Sequence, residues 1–264
     1  MMSHWEIDAP QTIEVDEVRE LRASIVRGRL DVITHQEAST RIEVAEISGT
    51  PLEVTLENGT LRIRHRDEDE IGWLKRLTGM KNHHAIVSIA VPAGISVLAN
   101  TVSGEGLVSG TSAETSLKTV SGSLMSDDTS GSLTVDTVSG EIIVRNHRGP
   151  LVAGTVSGEI TASGELQTVK AKSVSGDLSF DLKGIPEELS SNGVSGELTV
   201  RVPSGLGVQL DAKSVSGNII LDDQRFSGTS PNVRVNSGPE SPRMQVHSKS
   251  VSGNISIVRE HGAA

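Results

Sequence analysis

The chain contains no cysteine and no tyrosine, and its aromatic residues are only Trp5, Trp73, Phe180 and Phe226 among 264. Without thiols there is neither a disulfide framework nor a thiolate metal centre, which fits a reducing compartment. Without aromatics, the flat platforms that sugar sites usually offer are scarce. No apolar run approaches the roughly 20 residues that a membrane-spanning helix needs. The opening "MMSHWEIDAPQ" has no basic stretch followed by an apolar one, so the expected location is cytoplasmic. Basic residues are outnumbered, giving a net charge of −10. An acidic chain gains nothing from counterion release, so nucleic acid is not an expected partner. Hydrophobic content is 35% and glycine is abundant at 27 residues. A core of Val, Ile, Leu and Ala punctuated by Gly suits a narrow structure better than a sphere.

What the chain has is repetition. Val-Ser-Gly recurs at 102, 120, 138, 156, 174, 194, 215 and 251, and the first five of these are spaced by 18 residues. After each triplet, apolar residues alternate with polar ones, as in Gly140, Ile142, Val144 and Gly158, Ile160. That is the period of a strand with one buried face. A second alternating strand precedes each triplet, as in Leu133, Val135, Thr137 and in Val208, Leu210, Ala212, Ser214. Each 18-residue coil therefore holds two short strands and two turns. One coil cannot bury its own apolar face, whereas stacked coils can, which is the logic of a solenoid. The expected fold is all-β: a single elongated β-solenoid, either a parallel β-helix or a two-sheet roll. Val-Ser-Gly is expected to mark a corner with Val inward, Ser outward and Gly allowing close approach.

Two rival coils fit less well. Left-handed triangular helices need an aliphatic residue every six positions, and calcium β-rolls need G-G-x-G-x-D; neither pattern is present. A glycine-rich phosphate loop leads into a helix, and these triplets lead into strands. The expected organisation is one continuous β-repeat domain over 1–264, with a divergent part over 1–90 and the regular repeat over 91–264. In the divergent part, "VRGRLDVI" (26–33) repeats the template and "NGTLRIR" (58–64) offers an Asn-Gly turn before a strand.

The serial "TVSGE", "TVSGS" and "SVSGD" segments, "VPAG" at 91–94 and the N-terminal "IEVDEVRELRASIVRGRLDVIT" resemble a bacterial family of β-strand-repeat proteins. It is variously called a candidate-adhesin or toastrack domain, and the likeness spans essentially the whole chain. The resemblance implies a non-enzymatic scaffold for protein–protein interaction, in some members tied to envelope-stress systems beside membrane-associated regulators. It supplies no catalytic motif and no cofactor.

Two features are candidate sites. Three residues after successive Val residues stand Glu141, Glu159, Asp177 and Glu197, an acidic row on adjacent coils. Neighbours about 4.8 Å apart repel by about 1 kcal/mol in water, so the row could recruit a divalent cation or a basic partner. The simpler reading is a solvated face with Lys172, Lys213 and Lys249 nearby. A pair of such acids could also cleave glycosidic bonds, making a carbohydrate-active enzyme the alternative function. The second feature interrupts the strand pattern at 67–84, where Trp73, Leu74, Leu77 and Met80 fall on one face of a short helix. Trp73, Leu74, Lys75, Arg76 and Leu77 would either cap an open sheet edge or dock on a membrane or protein partner. The eight histidines show no ligand spacing, and His147 reads as a surface residue in a turn. No catalytic, cofactor-binding or metal-binding residue is expected.

Overall fold

A computed structural model describes residues 2–65, 83–227 and 232–260. Among these residues every regular element is a β-strand. Backbone contacts divide the chain into two units, Met1–Gly131 and Ser132–Ala264.

The first unit contains β1 (Met2–Ile7), β2 (Gln11–Val15), β3 (Glu20–Ile25), β4 (Gly28–His35), β5 (Thr40–Ser48), β6 (Leu52–Glu57), β7 (Thr60–His65), β8 (His84–Pro92), β9 (Ser96–Thr101), β10 (Glu105–Ser109), β11 (Thr115–Thr119) and β12 (Ser123–Asp127). They form two ladders. One runs β1–β6–β7–β3–β9–β11 and the other β2–β5–β8–β4–β10–β12. The inner pairings, from β7 and β8 through to β11 and β12, are parallel, and the outer ones are antiparallel. The hairpin between β6 and β7 turns on Asn58 and Gly59, both at positive φ, as a two-residue turn of that hand requires.

The second unit contains β13 (Leu133–Thr137), β14 (Glu141–Thr155), β15 (Glu159–Ser173), β16 (Leu178–Leu182), β17 (Glu188–Gly193), β18 (Leu198–Val202), β19 (Gly207–Ser214), β20 (Ile219–Leu221), β21 (Gln224–Phe226), β22 (Asn232–Ser237), β23 (Arg243–Ser250) and β24 (Ile255–Arg259). Here too there are two ladders. The first joins β13, the second halves of β14 and β15, then β17, β23, β19 and β22. The second joins the first halves of β14 and β15, then β16, β18, β24, β20 and β21. Leu133 faces Leu151, Glu141 faces Glu159 and Ile160 faces Leu178, each in parallel register eighteen positions on. Ile142, Ile160, Leu178, Leu198 and Ile255 stack in that order and are all buried.

Stacking order departs from chain order near both ends of the chain. The strands β3 and β4 lie between the β7/β8 layer and the β9/β10 layer. Likewise β23 and β24, last in the chain, lie between the β17/β18 layer and the β19/β20 layer. Arg259, at the end of β24, pairs with Asp222 and donates to the carbonyl oxygens of Leu206 (3.1 Å) and Ser237 (2.8 Å). One guanidinium thus ties the inserted layer to the two turns and the strand beyond it.

The triplet corner corrects the sequence reading. Val138, Val156, Val174, Val194, Val215 and Val251 are 44–50% exposed, so they point outward. The inward residue is the hydroxyl residue before each of most of them: Thr137, Thr155, Ser173 and Ser214 are buried. Its side-chain oxygen accepts the N–H of the glycine three residues on. The bonds Gly140 to Thr137, Gly158 to Thr155 and Gly217 to Ser214 are each 2.9 Å, and Gly253 to Ser250 is 2.8 Å. The strand period of two does not survive the turn: a buried Thr and a buried Gly three apart leave both residues between them outside. Ser indeed faces out, and its hydroxyl donates to the carbonyl of the preceding layer's Val, as Ser157 does to Val138 and Ser175 to Val156 (3.2 Å each). Glycine is required for a steric reason. A Cβ on Gly158 would run into the carbonyl oxygen of Gly140, and one on Gly176 into that of Gly158.

One corner lacks its hydroxyl. Gly193 stands where the others have Thr or Ser, and a void of about 10 Å³ lined by Ser173, Gly193, Gly196 and Ser250 lies there. A Cβ on Gly193 would meet nothing closer than 3.8 Å.

Two outcomes follow for stability. Thr155→Val keeps the shape but strands the buried Gly158 N–H, and urea denaturation should show a loss of about 1–3 kcal/mol, restored by Thr155→Ser. Gly193→Ser should fill the void, supply the missing acceptor and remove a flexible residue, raising stability by about 1 kcal/mol. An unchanged midpoint in both would mean that the corner bond is not what holds the turn.

Candidate functional site

The acidic row exists as a surface feature of the second unit. Each member stands directly after the corner glycine, at the position where the chain enters the next strand. Glu141 and Glu159 are register partners. Asp177 and Glu197 each precede one of the paired residues Leu178 and Leu198, and an Asp177 carboxylate oxygen accepts the Glu197 backbone N–H at 2.8 Å. All four are exposed. The row continues in amide form: the Asn254 side-chain oxygen accepts from both the Asn218 backbone (3.0 Å) and side chain (3.2 Å). Position therefore runs 141, 159, 177, 197, 254, 218, following stacking order rather than chain order.

This geometry suits one-dimensional display better than ion capture. A calcium site gathers six to eight oxygens around a point, whereas the row spreads single carboxylates along a line. Among the described residues no group of three or more His, Cys, Asp or Glu is placed to hold a metal ion.

Beside the acids runs the feature that the sequence reading assigned to the core. The exposed valines stack in the order 138, 156, 174, 194, 251, 215. This order is set by bonds such as Ser157 N–H to Val138 (2.7 Å), Ser175 N–H to Val156 (2.7 Å), Ser252 N–H to Val194 (2.7 Å) and Ser216 N–H to Val251 (2.9 Å). The signal for it was in the sequence: a hydroxyl residue precedes Val in most copies, and a buried hydroxyl next to the turn displaces Val outward.

A concavity of about 270 Å³ is bordered by Arg148, Glu165, Gln167, Lys183, Ile185 and Pro186 in the second unit. It lies where β14 departs from regular register between Val144 and Leu151. Gln167 donates to Glu187 at 2.9 Å there. The lining mixes both charges with an exposed Ile185 and gathers no pair of acids.

The histidine reading also needs correction. His147 is buried within β14, and His65 is buried at the end of β7. The His65 Nδ1 lies 3.0 Å from the Thr50 carbonyl oxygen, and its ring meets that of His83 edge-on at 5.1 Å. A bulge shifts the alternation of β14 around His147, which strand period alone does not reveal. Trp73, Leu74, Lys75, Arg76 and Leu77 lie outside the described residues.

Layered β-strands with a repeated hydroxyl–glycine corner define a stacked β-repeat protein. The model of the Toastrack DUF4097 family matches residues 24–258, and the chain belongs to that family. Among curated proteins none matches the sequence. Solved structures similar to it include a candidate lipid-binding protein from Parabacteroides distasonis, 18% identical, with a TM-score of 0.47 over 96% of this chain and 98% of that one. A candidate adhesin from Bacteroides fragilis is 14% identical, with a TM-score of 0.45 over 95% and 98%. A candidate cell adhesion protein from Clostridium sporogenes is 12% identical, with a TM-score of 0.32 over 96% and 100%.

Calorimetric titration with calcium at millimolar concentration should give no binding heat, and the melting temperature should not move. A rise in melting temperature that vanishes in Glu159→Gln would show that the row holds an ion, since selective binding stabilises the folded form.

Proposed function

We propose that this protein is a non-enzymatic interaction scaffold, a β-solenoid of about 18-residue coils that presents regular rows of side chains to a partner. The observation that carries the reading is the equivalence of the exposed acids. Glu141, Glu159, Asp177 and Glu197 occupy the same place on successive layers and share the same exposed setting. Acid–base catalysis needs two carboxyl groups whose surroundings push their proton affinities apart, and a row of equivalents does not supply that. A partner with matching spacing, by contrast, reads such a row directly. Kinship with the family points to a protein partner associated with the membrane in an envelope-stress system, with this chain acting from the cytoplasm. The cluster of Trp73, Leu74, Lys75, Arg76 and Leu77 has the composition that such docking uses.

The alternative is a carbohydrate-active enzyme using a pair from the acidic row. It is favoured only by the closeness of Glu141 and Glu159. A reducing-end assay on polygalacturonate, xylan and peptidoglycan separates the two. No release above that of the Glu141→Gln/Glu159→Gln double variant is expected. Release by the wild type that the double variant loses would overturn the scaffold reading.

A further inference from the structure

We propose that the valine ridge of residues 132–264 is a self-association surface, and that its occupant is the same ridge of a second copy packed antiparallel. The ridge consists of Val138, Val156, Val174, Val194, Val251 and Val215, each 44–50% exposed and joined layer to layer by backbone hydrogen bonds. Five steps of about 4.8 Å make it about 24 Å long. With nearly half of each side chain in water, the six valines expose roughly 400 Å² of aliphatic surface, within the range of the largest patches that monomers leave open and that often mark interaction sites.

The neighbouring hydroxyls do not soften this surface. Ser157, Ser175, Ser195, Ser216 and Ser252 each direct their Oγ to a valine carbonyl oxygen of the adjoining layer, at 3.2–3.4 Å. Their donors are thereby occupied within the stack, and the strip facing outward is methyl groups. At most of these corners the Thr or Ser and the Gly hold the turn, so the corner does not depend on a Val facing solvent.

Period and area select the occupant. A ridge of knobs at a strand spacing fits best into another ridge of the same spacing displaced by half a step, and a second copy carries that spacing by construction. The two-fold axis must then lie across the ridge. An axis along it would keep every layer at its own height and set valine head-on against valine, whereas an axis across it allows the half-step offset. The contact is isologous and closes as a dimer. Two ridges with their flanking rows bury on the order of 1,200 Å², the lower end of specific interfaces, so a dimer of micromolar affinity is expected. The antiparallel arrangement sets Glu141 and Glu159 of one copy opposite Asn218 and Asn254 of the other and leaves acid facing acid only at the centre, Asp177 against Glu197, whereas a parallel arrangement would set all four acids against their own equivalents. It places the positively charged Lys213 of one copy near Asp136 of the other.

Sedimentation equilibrium from 1 to 300 μM (roughly bracketing the expected affinity) tests the proposal. The wild type should pass from monomer to dimer. Val174→Lys should weaken the dimer about 100-fold while leaving circular dichroism and the melting temperature of the monomer unchanged. A wild type that stays monomeric throughout, or a dimer that Val174→Lys leaves intact, overturns the idea. The absence of native cysteine allows a second test that does not depend on that variant. Val138→Cys alone should not cross-link on oxidation, while a mixture of Val138→Cys with Val215→Cys should give a disulfide dimer. Self-cross-linking by Val138→Cys without the mixed product would overturn the antiparallel arrangement.

Discussion

The rest of the structure depends on a short bond repeated at successive corners: a buried Thr or Ser oxygen accepting the N–H of the glycine three residues later. A solenoid must turn its chain twice per layer while leaving no buried backbone donor unpaired, because each such orphan costs on the order of 1–3 kcal/mol. At this corner the side chain meets the demand locally. It satisfies the glycine N–H from inside, and the glycine in turn lets the next layer approach within backbone-to-backbone distance. The exposed serine adds a bond from outside to the carbonyl of the layer before. Val-Ser-Gly is thus the visible half of a four-residue device whose working residue is the hydroxyl in front of it.

With corners satisfied this way, the order of layers is free to differ from the order of the chain. In each unit one layer is inserted between two others, β3/β4 in the first and β23/β24 in the second. A solenoid stacked strictly in sequence holds its end layer on one side only. Here the β23/β24 layer is held on both sides, and Arg259 ties it to the turns beyond. The outermost described strands of the two units, β1 and β2 in one and β21 and β22 in the other, add antiparallel partners to a parallel stack.

The same regularity bears on function. Repeating a corner repeats everything attached to it, so acids, hydroxyls and valines are displayed in rows instead of converging on a point. Rows are poor at chemistry, which needs unlike groups in unlike surroundings, and good at recognition of partners with their own linear spacing.

Much of this was legible in the sequence. The eighteen-residue recurrence of Val-Ser-Gly, the alternation through Ile142, Val144 and Ile160, and the Asn58–Gly59 turn identify an all-β stack, because strand period and turn chemistry are local properties of the chain. The acidic row was legible for the same reason: equal spacing places equal residues on adjacent layers. The direction of Val138 and its equivalents was not, since alternation through a turn depends on how many residues the turn takes up. The burial of His147 was hidden likewise by the bulge in β14. Nor could the sequence say that the layer ending at Arg259 inserts between its two predecessors. All layers share one repeat, so any of them pairs acceptably with any other by local rules. Only the tertiary structure, through loop lengths, end strands and the contacts of Arg259, decides which neighbours each layer keeps.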